Sequence, residues 1–354
     1  MSTYIIRRLL LLPVLLFGVT LIIFGVLQFL GPIERSALYV RDLPRNDKQI
    51  TGIIRKYGFD KPIYVQYWRW LVGVKDPFTG IREGGVLYGD FGYSRTGSQP
   101  VIDIIKNRFP NTLDLALWTV FPMLSVGIWL GVQAAVHQNG WIDQVARIFS
   151  IIGTSFPTFV FGLLVLILFY ANTGWFPPGK MSDWVNQIVL SGEFHRYTHL
   201  LSIDALLNGR LDIFLDALRH MILPVLTLSY INWATFVRVT RSSMLETLRM
   251  DYVTTARAKG LKERAVINKH ARPNAMISIT TLAGMSVANL LGGVVITETV
   301  FNYPGIGKAA ADAAAQLDVV TVLGFAVFNG LILILANLVV DVLYGLIDPR
   351  VRLA

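Results

Sequence analysis

The chain has 354 residues, of which 53% are hydrophobic and only 16% are charged, and its mean hydropathy is +0.53. Soluble domains carry about 25% charged residues, so this composition excludes a soluble globular protein and indicates a membrane protein. We attribute the net charge of +9 to membrane topology and lipid contact, since no nucleic-acid-binding motif occurs. The absence of cysteine excludes disulfides, zinc-thiolate sites and a thiol nucleophile.

Six apolar runs are candidate membrane-spanning helices, because a bilayer requires roughly 20 apolar residues. They comprise residues 9–33, 115–142, 148–179, 220–237, 273–297 and 319–340. The first run follows Arg7 and Arg8, as in a signal peptide. It is longer than a signal-peptide core and lacks a small-residue cleavage site, so we interpret it as a retained helix. The sequence therefore predicts an all-α polytopic membrane protein with six transmembrane helices.

The distribution of basic residues sets the predicted topology, with both termini in the cytoplasm. Residues 31–109, 174–219 and 301–318 then lie outside, and residues 137–147, 240–272 and 348–354 lie inside. The long first outer segment is also basic, but long segments translocate largely regardless of their charge. We divide the chain into an N-terminal anchor helix (1–31), an extracytoplasmic segment (32–110), a transmembrane domain (111–347) and a cytoplasmic tail (348–354).

Both larger outer segments contain predicted surface helices. Residues 63–72 combine Tyr and Trp with apolar residues, which predicts an amphipathic helix at the membrane interface. A second surface helix is predicted near residues 200–207. His195 and His199 have a spacing that suits two metal ligands, but an exposed pair in a polar loop is the more common arrangement, so we predict no metal site.

Prolines and small residues mark special positions in the predicted transmembrane helices. Pro122, Pro157 and Pro224 interrupt the hydrogen-bond ladder, either to bend a helix around a path or only as packing kinks. Gly284 belongs to a small-residue face of the fifth run, which suits close helix contact.

A few polar residues fall within or beside the apolar runs. Asp114, Glu298 and Asp341 lie at or near helix ends, where we expect the membrane interface to accommodate them. No chain of acids or histidines crosses the middle, which disfavours a proton-coupled carrier. Asn289, Asn329 and Asn337 are candidates for lining a translocation path, and interhelical hydrogen bonding is the alternative.

Motifs for catalysis are absent from the sequence. A phosphate-binding loop requires G-x-x-x-x-G-K-[ST], and the nearest string, residues 302–309, lacks both its first glycine and its hydroxyl residue. Neither G-x-S-x-G nor H-E-x-x-H occurs. The sequence therefore predicts a protein that neither hydrolyses ATP itself nor binds a cofactor.

The loop before the fifth run is strongly basic, with nine Lys or Arg against three acidic residues between Arg238 and Arg272. Each such cation at a bilayer centre would cost about 2.5–3.5 kcal/mol, so the loop must lie in water, on the cytoplasmic side. Val253, Ala256 and Gly260 recur at helical spacing. Two interpretations remain: a short helix that docks a soluble partner, or a basic loop that only fixes topology.

This loop resembles the EAA segment of ABC-importer permeases. Aligning Gly260 with the glycine of that motif places Thr254, Thr255 and Ala256 on Glu-Ala-Ala, and Pro273 on its closing proline. Residues 251–261 match the wording of the oligopeptide and dipeptide branch. Further similar strings follow in chain order, at residues 57–67, 89–94, 220–224, 237–246, 297–301, 303–307, 341–345 and 348–350.

The resemblance implies a type I ABC-importer permease of a prokaryotic cytoplasmic membrane, with residues 111–347 as its permease domain. Its implied partners are a second homologous permease, two ATP-binding subunits and an extracytoplasmic solute-binding protein. Residues 240–273 would form the coupling loop, in which the expected coupling residues are Thr254, Thr255, Ala256, Gly260, Leu261, Glu263 and Pro273. Glu298 and Tyr303 join the three asparagines as candidates for the path or gate.

The resemblance also implies individual roles within the loop. Gly260 would end the coupling helix, since a residue after a helix often needs a left-handed backbone. Ala256 would be the small residue that lets the helix enter a cleft on the ATPase, and Glu263 would pair with a basic residue on its rim. Alternatively, these residues only pack the loop on its own bundle.

Several positions depart from the family pattern. Thr254, Thr255, His270 and Arg272 replace the usual residues of the motif, and Gly31 begins a string that differs from the Gly-Asp-Pro of the peptide branch. Because permeases of this branch also carry oligosaccharides, nickel or glutathione, oligosaccharide import is the alternative to peptide import. A secondary carrier and a membrane-anchored assembly protein are the alternatives from other classes.

Overall fold

The structure is a computed structural model that describes residues 2–31, 35, 47–75, 80 and 82–347. The predicted cytoplasmic tail, residues 348–354, and the side chain of Asp341 lie outside this description. Residues group into two compact units. The first comprises Asn111–Pro304 and Ala336–Ala354, and the second comprises Ser2–Pro110 and Gly305–Leu335.

Helices dominate the described residues, in agreement with the predicted all-α class. Their bounds are α1 Ser2–Leu27, α2 Asp47–Tyr57, α3 Ile63–Val72, α4 Val101–Val136, α5 Trp141–Ser155, α6 Thr158–Leu166, α7 Asp183–Leu190, α8 Leu201–Leu207, α9 Leu211–Leu248, α10 Asp251–Ala258, α11 Glu263–Ala265, α12 Arg272–Leu291, α13 Val295–Val300, α14 Ile306–Ala315 and α15 Val319–Ile347. Residues Ile167–Ala171 and Val266–Ala271 are π-helical, and Val86–Tyr88 form a 3₁₀ turn. Two short antiparallel pairs complete the elements: β1 (Val74–Lys75) with β2 (Arg82–Glu83), and β3 (Tyr93–Ser94) with β4 (Gln99–Pro100).

Four described helical segments are long and apolar enough to cross a membrane, and a bent pair provides a fifth if it forms one span. The four are Leu9–Leu27, Val101–Val136, Glu263–Leu291 and Val319–Val340. The fourth predicted crossing, residues 220–237, lies within the continuous helix α9 but is not among these spans. Buried polar residues within this crossing, namely His220, Thr227 and Ser229, lower its apolar content. The count of six therefore stays a prediction.

The third predicted crossing is not one helix but two, α5 and α6, which meet at an angle of 102°. Phe156 adopts an extended conformation (φ −90°, ψ 127°) immediately before Pro157. A proline disfavours the helical conformation of the residue before it because its ring clashes with that residue's backbone. Pro122 and Pro224 lie inside the continuous helices α4 and α9. Of the three prolines, only Pro157 breaks a helix.

Helices α4 and α9 of the first unit pack closely against each other. Cβ atoms built at Gly127 and Gly131 of α4 would lie 2.6 Å and 2.5 Å from the Cβ atoms of Phe236 and Thr240 of α9. Two backbones can approach this closely only where one helix presents glycine. The predicted small-residue face of the fifth run makes a similar contact, since a Cβ at Gly284 would clash with Val340 of α15.

The second unit packs part of the outer segment against α1. Helix α3 has the predicted bounds, Ile63–Val72. Its Tyr67 packs edge-on against Phe24, with ring centroids 5.2 Å apart, and its hydroxyl lies 2.9 Å from Thr20 Oγ1. Trp68 and Tyr64 on the same helix remain exposed. The helix thus has one face on protein and one free for the membrane interface, as an amphipathic helix there requires.

Asp318 joins the start of α15 to β3 and the turn that follows. Its carboxylate accepts hydrogen bonds from Ser94 Oγ (2.9 Å), Thr96 N (3.0 Å) and Thr321 Oγ1 (2.8 Å). It also caps the helix by accepting from Thr321 N. Burial raises the pKa of Asp318, but the hydrogen bonds from Thr96, Thr321 and Ser94 outweigh burial and hold the pKa below its usual range.

We expect Asp318→Ala to loosen this part of the outer segment and to lower the free energy of unfolding by about 1–3 kcal/mol, since several donors lose their acceptor. Because the folded-state pKa is depressed, the carboxylate stabilises the wild type above its unfolded pKa, and this contribution is lost as the pH falls through the folded-state value. Thermal unfolding in detergent at pH 7 and pH 3 checks both statements. A variant as stable as the wild type at pH 7 would contradict them.

Candidate functional site

The predicted coupling loop begins where α9 ends at Leu248 and continues through α10, α11 and a π-helical segment into α12. Gly260 has a φ of +74° and follows Lys259, the C-cap residue of α10. Its N–H donates to Arg257 O at 2.9 Å, and Leu261 N–H donates to Ala256 O at 3.4 Å. These two bonds form a Schellman motif, in which the left-handed residue is usually glycine. The structure therefore contains the predicted glycine-terminated helix.

The inner face of α10 packs on the protein's own helices. Val253 and Ala256 are buried against a cluster that includes Met244 of α9, Val132 of α4 and Val266 of the π-helical segment. Only 5% of Ala256 is exposed. The side chain packs in this cluster, as in the alternative in which these residues pack the loop on its own bundle, and the role of Ala256 in letting the helix enter a cleft on the ATPase stays a prediction. The small size of Ala256 allows α10 to lie close to the bundle.

The outer face of α10 is free in the described structure. Thr254, Thr255, Lys259 and Gly260 are exposed, together with Leu261, which is 43% exposed. A helix held by its apolar face thus presents polar residues and one leucine outward. This arrangement suits contact with a soluble protein.

Two further predicted coupling residues have structural roles within the loop. Glu263 forms a two-bond ion pair with Arg257, at 2.7 Å from Nη2 to Oε1 and 3.2 Å from Nε to Oε2. Both side chains are exposed, so the pair contributes modestly to stability. It connects α10 to the start of α11 across the Gly260 turn. Pro273 lies in the first turn of α12, where its missing N–H leaves no hydrogen bond unmade.

A buried ion pair joins α5 to α9. Asp143 of α5 is fully buried and accepts from Arg241 of α9 at 2.6 Å (Nε) and 2.9 Å (Nη2). It also accepts from Arg147 Nη2 at 3.0 Å and from Asn139 N at 2.9 Å. Sequence reasoning missed this cluster, because Asp143 and Arg241 are 98 residues apart and no local pattern pairs them.

Two of the predicted path or gate residues lie together and are inaccessible. Glu298 and Tyr303 are fully buried, Tyr303 N–H donates to Glu298 O at 2.8 Å, and Thr112 Oγ1 donates to Glu298 Oε1 at 2.8 Å. Burial, with Asp114 and Glu298 nearby, raises the pKa of the Tyr303 phenol well above 10. These groups are held by hydrogen bonds and are closed to solvent in this conformation, and their role in a path or gate stays a prediction.

Asp114 belongs to the same buried region, so hydrogen bonds inside the protein accommodate both it and Glu298, and their depth at the membrane interface stays a prediction. Asp114 is 1% exposed and accepts hydrogen bonds from both the N–H and the hydroxyl of Ser202. Trp118 Nε1 in turn donates to Ser202 Oγ at 2.9 Å. Polar groups of α8, rather than water, satisfy this carboxyl group, which removes much of the cost of burying it.

The three candidate path asparagines behave differently. Asn289 and Asn337 are exposed, whereas Asn329 is partly buried and its side-chain oxygen has no hydrogen-bond partner in the described part of the chain. No hydrogen bond joins these three side chains among the described residues. Their role in a path stays a prediction. Among the same residues, no group of three or more His, Asp or Glu could hold a metal ion.

Comparison with known proteins identifies the family. Residues 127–353 match the family described as "Binding-protein-dependent transport system inner membrane component", and residues 1–116 match its N-terminal counterpart. A probable D,D-dipeptide transport system permease protein of Escherichia coli (strain K12) is 38% identical, over 94% of this chain and 93% of that protein.

Two further relatives match over almost their whole length. An oligopeptide transport system permease protein of Bacillus subtilis (strain 168) is 34% identical, over 99% of this chain and 100% of that protein. A di/tripeptide transport system permease protein of Pseudomonas aeruginosa (strain UCBPP-PA14) is 37% identical, over 99% of each chain. These matches confirm the resemblance found in the coupling loop, and the chain belongs to the inner-membrane components of binding-protein-dependent transport systems.

Proposed function

We propose that this chain is the membrane-spanning subunit of an ABC importer that translocates oligopeptides or dipeptides. A solute-binding protein delivers the peptide on the outside, and separate subunits hydrolyse ATP. The observation that carries the proposal is helix α10, which is seated on the bundle through Val253 and Ala256 and turns its polar face outward before Gly260. The three relatives are permeases for dipeptides, di/tripeptides and oligopeptides, which favours peptides over oligosaccharides.

The proposed complex contains a second homologous permease, two ATP-binding subunits and the solute-binding protein. The exposed face of α10, from Thr254 to Leu261, would contact one ATP-binding subunit. The Arg257–Glu263 ion pair would keep that face in one conformation by bracing the turn at Gly260.

Uptake of labelled peptides tests the cargo. Cells that express the complete transporter should accumulate a labelled dipeptide or short oligopeptide, and deletion of this subunit should abolish that uptake. A labelled disaccharide serves as the comparison substrate. Accumulation of the disaccharide without the peptide would refute peptide import but retain the transporter assignment.

The proposed topology has six crossings and cytoplasmic termini, and it can be tested by thiol labelling because the chain has no native cysteine. Ser191 and Lys262 are both exposed. A membrane-impermeant thiol reagent added to intact cells should label Ser191→Cys and should spare Lys262→Cys until the cells are permeabilised. Labelling of Lys262→Cys from outside would refute the topology.

A further inference from the structure

A cleft of about 470 Å³ lies beside the coupling loop. It is lined by Gln133 near the end of α4, Arg264 of α11, Asn268 of the π-helical segment and Arg272 at the start of α12, with Trp129 at its edge. We call this feature the basic cleft. It is distinct from the exposed face of α10, none of whose residues line it.

The basic cleft has an excess of unused positive charge. The guanidinium groups of Arg264 and Arg272 form no ion pair or side-chain hydrogen bond in the described part of the chain, nor do the amides of Gln133 and Asn268. The carboxylate that also lines the cleft, Glu263, is already paired with Arg257 at 2.7 Å. Two guanidinium groups and two amides therefore remain available, and a guanidinium offers the paired donors that suit a phosphate.

An apolar groove of about 850 Å³ adjoins the basic cleft, since Trp129 and Arg272 line both. The groove continues along α4 past Leu124 and Phe121, and Val287 of α12 borders it. Phe121 is 76% exposed, so this surface is open. A polar, cationic site and an apolar channel thus form one continuous surface, which matches an amphiphile rather than a free ion.

The position along α4 indicates the level of this site in the membrane. Trp129 lies about 10 Å from the end of α4 at Val136, and the loop after Val136 is predicted to be cytoplasmic. Tryptophan concentrates at the headgroup level of a bilayer. Basic pockets between transmembrane helices on this side bind anionic headgroups.

We infer that the basic cleft and the apolar groove together bind an anionic phospholipid of the cytoplasmic leaflet. The lipid phosphate contacts Arg264 and Arg272, and an acyl chain lies in the groove beside Leu124 and Phe121. Residues of α11, α12 and the end of α4 all line this surface. Such a lipid would therefore hold the base of the coupling loop against α4.

Lipid binding to the purified, complete transporter tests this inference. The complex is stripped of lipid in detergent and titrated with phosphatidylglycerol or with phosphatidylcholine of the same acyl chains, and native mass spectrometry counts the bound molecules. We expect Arg264→Gln/Arg272→Gln to weaken phosphatidylglycerol binding about 30-fold, since each basic residue near anionic lipid contributes about a factor of five. Phosphatidylcholine should bind weakly to every variant.

The matched control is Arg238→Gln/Arg249→Gln, which removes the same charge from exposed positions in the last part of α9 and at its C-cap and touches neither cavity. It should bind phosphatidylglycerol like the wild type. If the double variant of the cleft does not fold, the single variant Arg264→Gln, at an exposed position, should weaken binding about fivefold.

Four outcomes would overturn the inference. Equal loss of binding in the control pair would show a general charge effect, and equal binding of phosphatidylcholine would show that the headgroup charge is not recognised. Displacement of the lipid by inorganic phosphate at the same concentration would show a site for a free anion. Binding to the isolated chain but not to the complete complex would show that a partner subunit occupies the surface.

Discussion

Replacing Ala256 by glutamate should release α10 from the bundle and uncouple the permease from its ATP-binding subunits. Ala256 is 5% exposed and packs against Val132, Met244 and Val266. A carboxylate there would lack a partner, and burying an unpaired charge costs several kcal/mol. We therefore expect α10 to detach from the bundle instead. We expect the amount of ATP-binding subunit that co-purifies with the permease to fall at least about tenfold, because a loss of about 1.4 kcal/mol in binding free energy lowers the affinity tenfold.

The comparison variant is Ala258→Glu, which places the same residue at an exposed position of the same helix. Limited proteolysis of the permease without its partners should cut the loop faster in Ala256→Glu and at the wild-type rate in Ala258→Glu. Co-purification and peptide-stimulated ATP hydrolysis then report coupling. If the Ala256→Glu protein retains its ATP-binding subunits in the normal ratio with normal stimulation, the assignment of α10 as the coupling helix is wrong.

The second large effect is expected at Asp143. Asp143→Ala removes the carboxylate that Arg241 contacts at 2.6 Å and 2.9 Å, and leaves a guanidinium that is only 21% exposed without its partner. Breaking a buried ion pair from one side costs about 3–5 kcal/mol. Thermal unfolding in detergent should show this loss, because α5 and α9 are joined through the pair.

Two further variants separate the charge effect from a packing effect. Arg147→Gln removes a partner that is 43% exposed, so its effect should stay below about 1 kcal/mol. The double variant Asp143→Leu/Arg241→Met removes both charges and should recover most of the stability, since apolar replacement of a buried pair is often neutral or stabilising. A single Asp143→Ala variant with wild-type stability would contradict the structural role of the pair.

Local patterns in the sequence predicted the local structure well. Residues 63–72 combine Tyr and Trp with apolar residues, which predicted a short amphipathic helix, and α3 has those bounds. Gly260 stands where a helix must end in a left-handed residue, and the structure has φ +74° there. The basic loop and its helix follow from charge, since nine cations cannot lie in hydrocarbon.

What the sequence could not predict depends on contacts between distant residues. The sequence marked Pro122, Pro157 and Pro224 as candidate bends, but it could not show that only Pro157 breaks its helix. It also could not show that Ser202, 88 residues away, donates to Asp114. Helical spacing correctly placed Val253 and Ala256 on one face of α10, but it did not predict that this face packs against the bundle.

The close packing of α4 on α9 at Gly127 and Gly131 has a mechanical consequence. Helix α9 has 38 residues and is therefore about 57 Å long, and α10 begins only three residues after its last residue. The glycine contacts at Phe236 and Thr240, about 15 Å from the end next to α10, leave little room for sliding but permit rocking about that point. A tilt of about 10° there would displace the end next to α10 by about 3 Å and the opposite end of α9 by about 7 Å, so that a small movement of α10 becomes a larger movement at the opposite end of the helix.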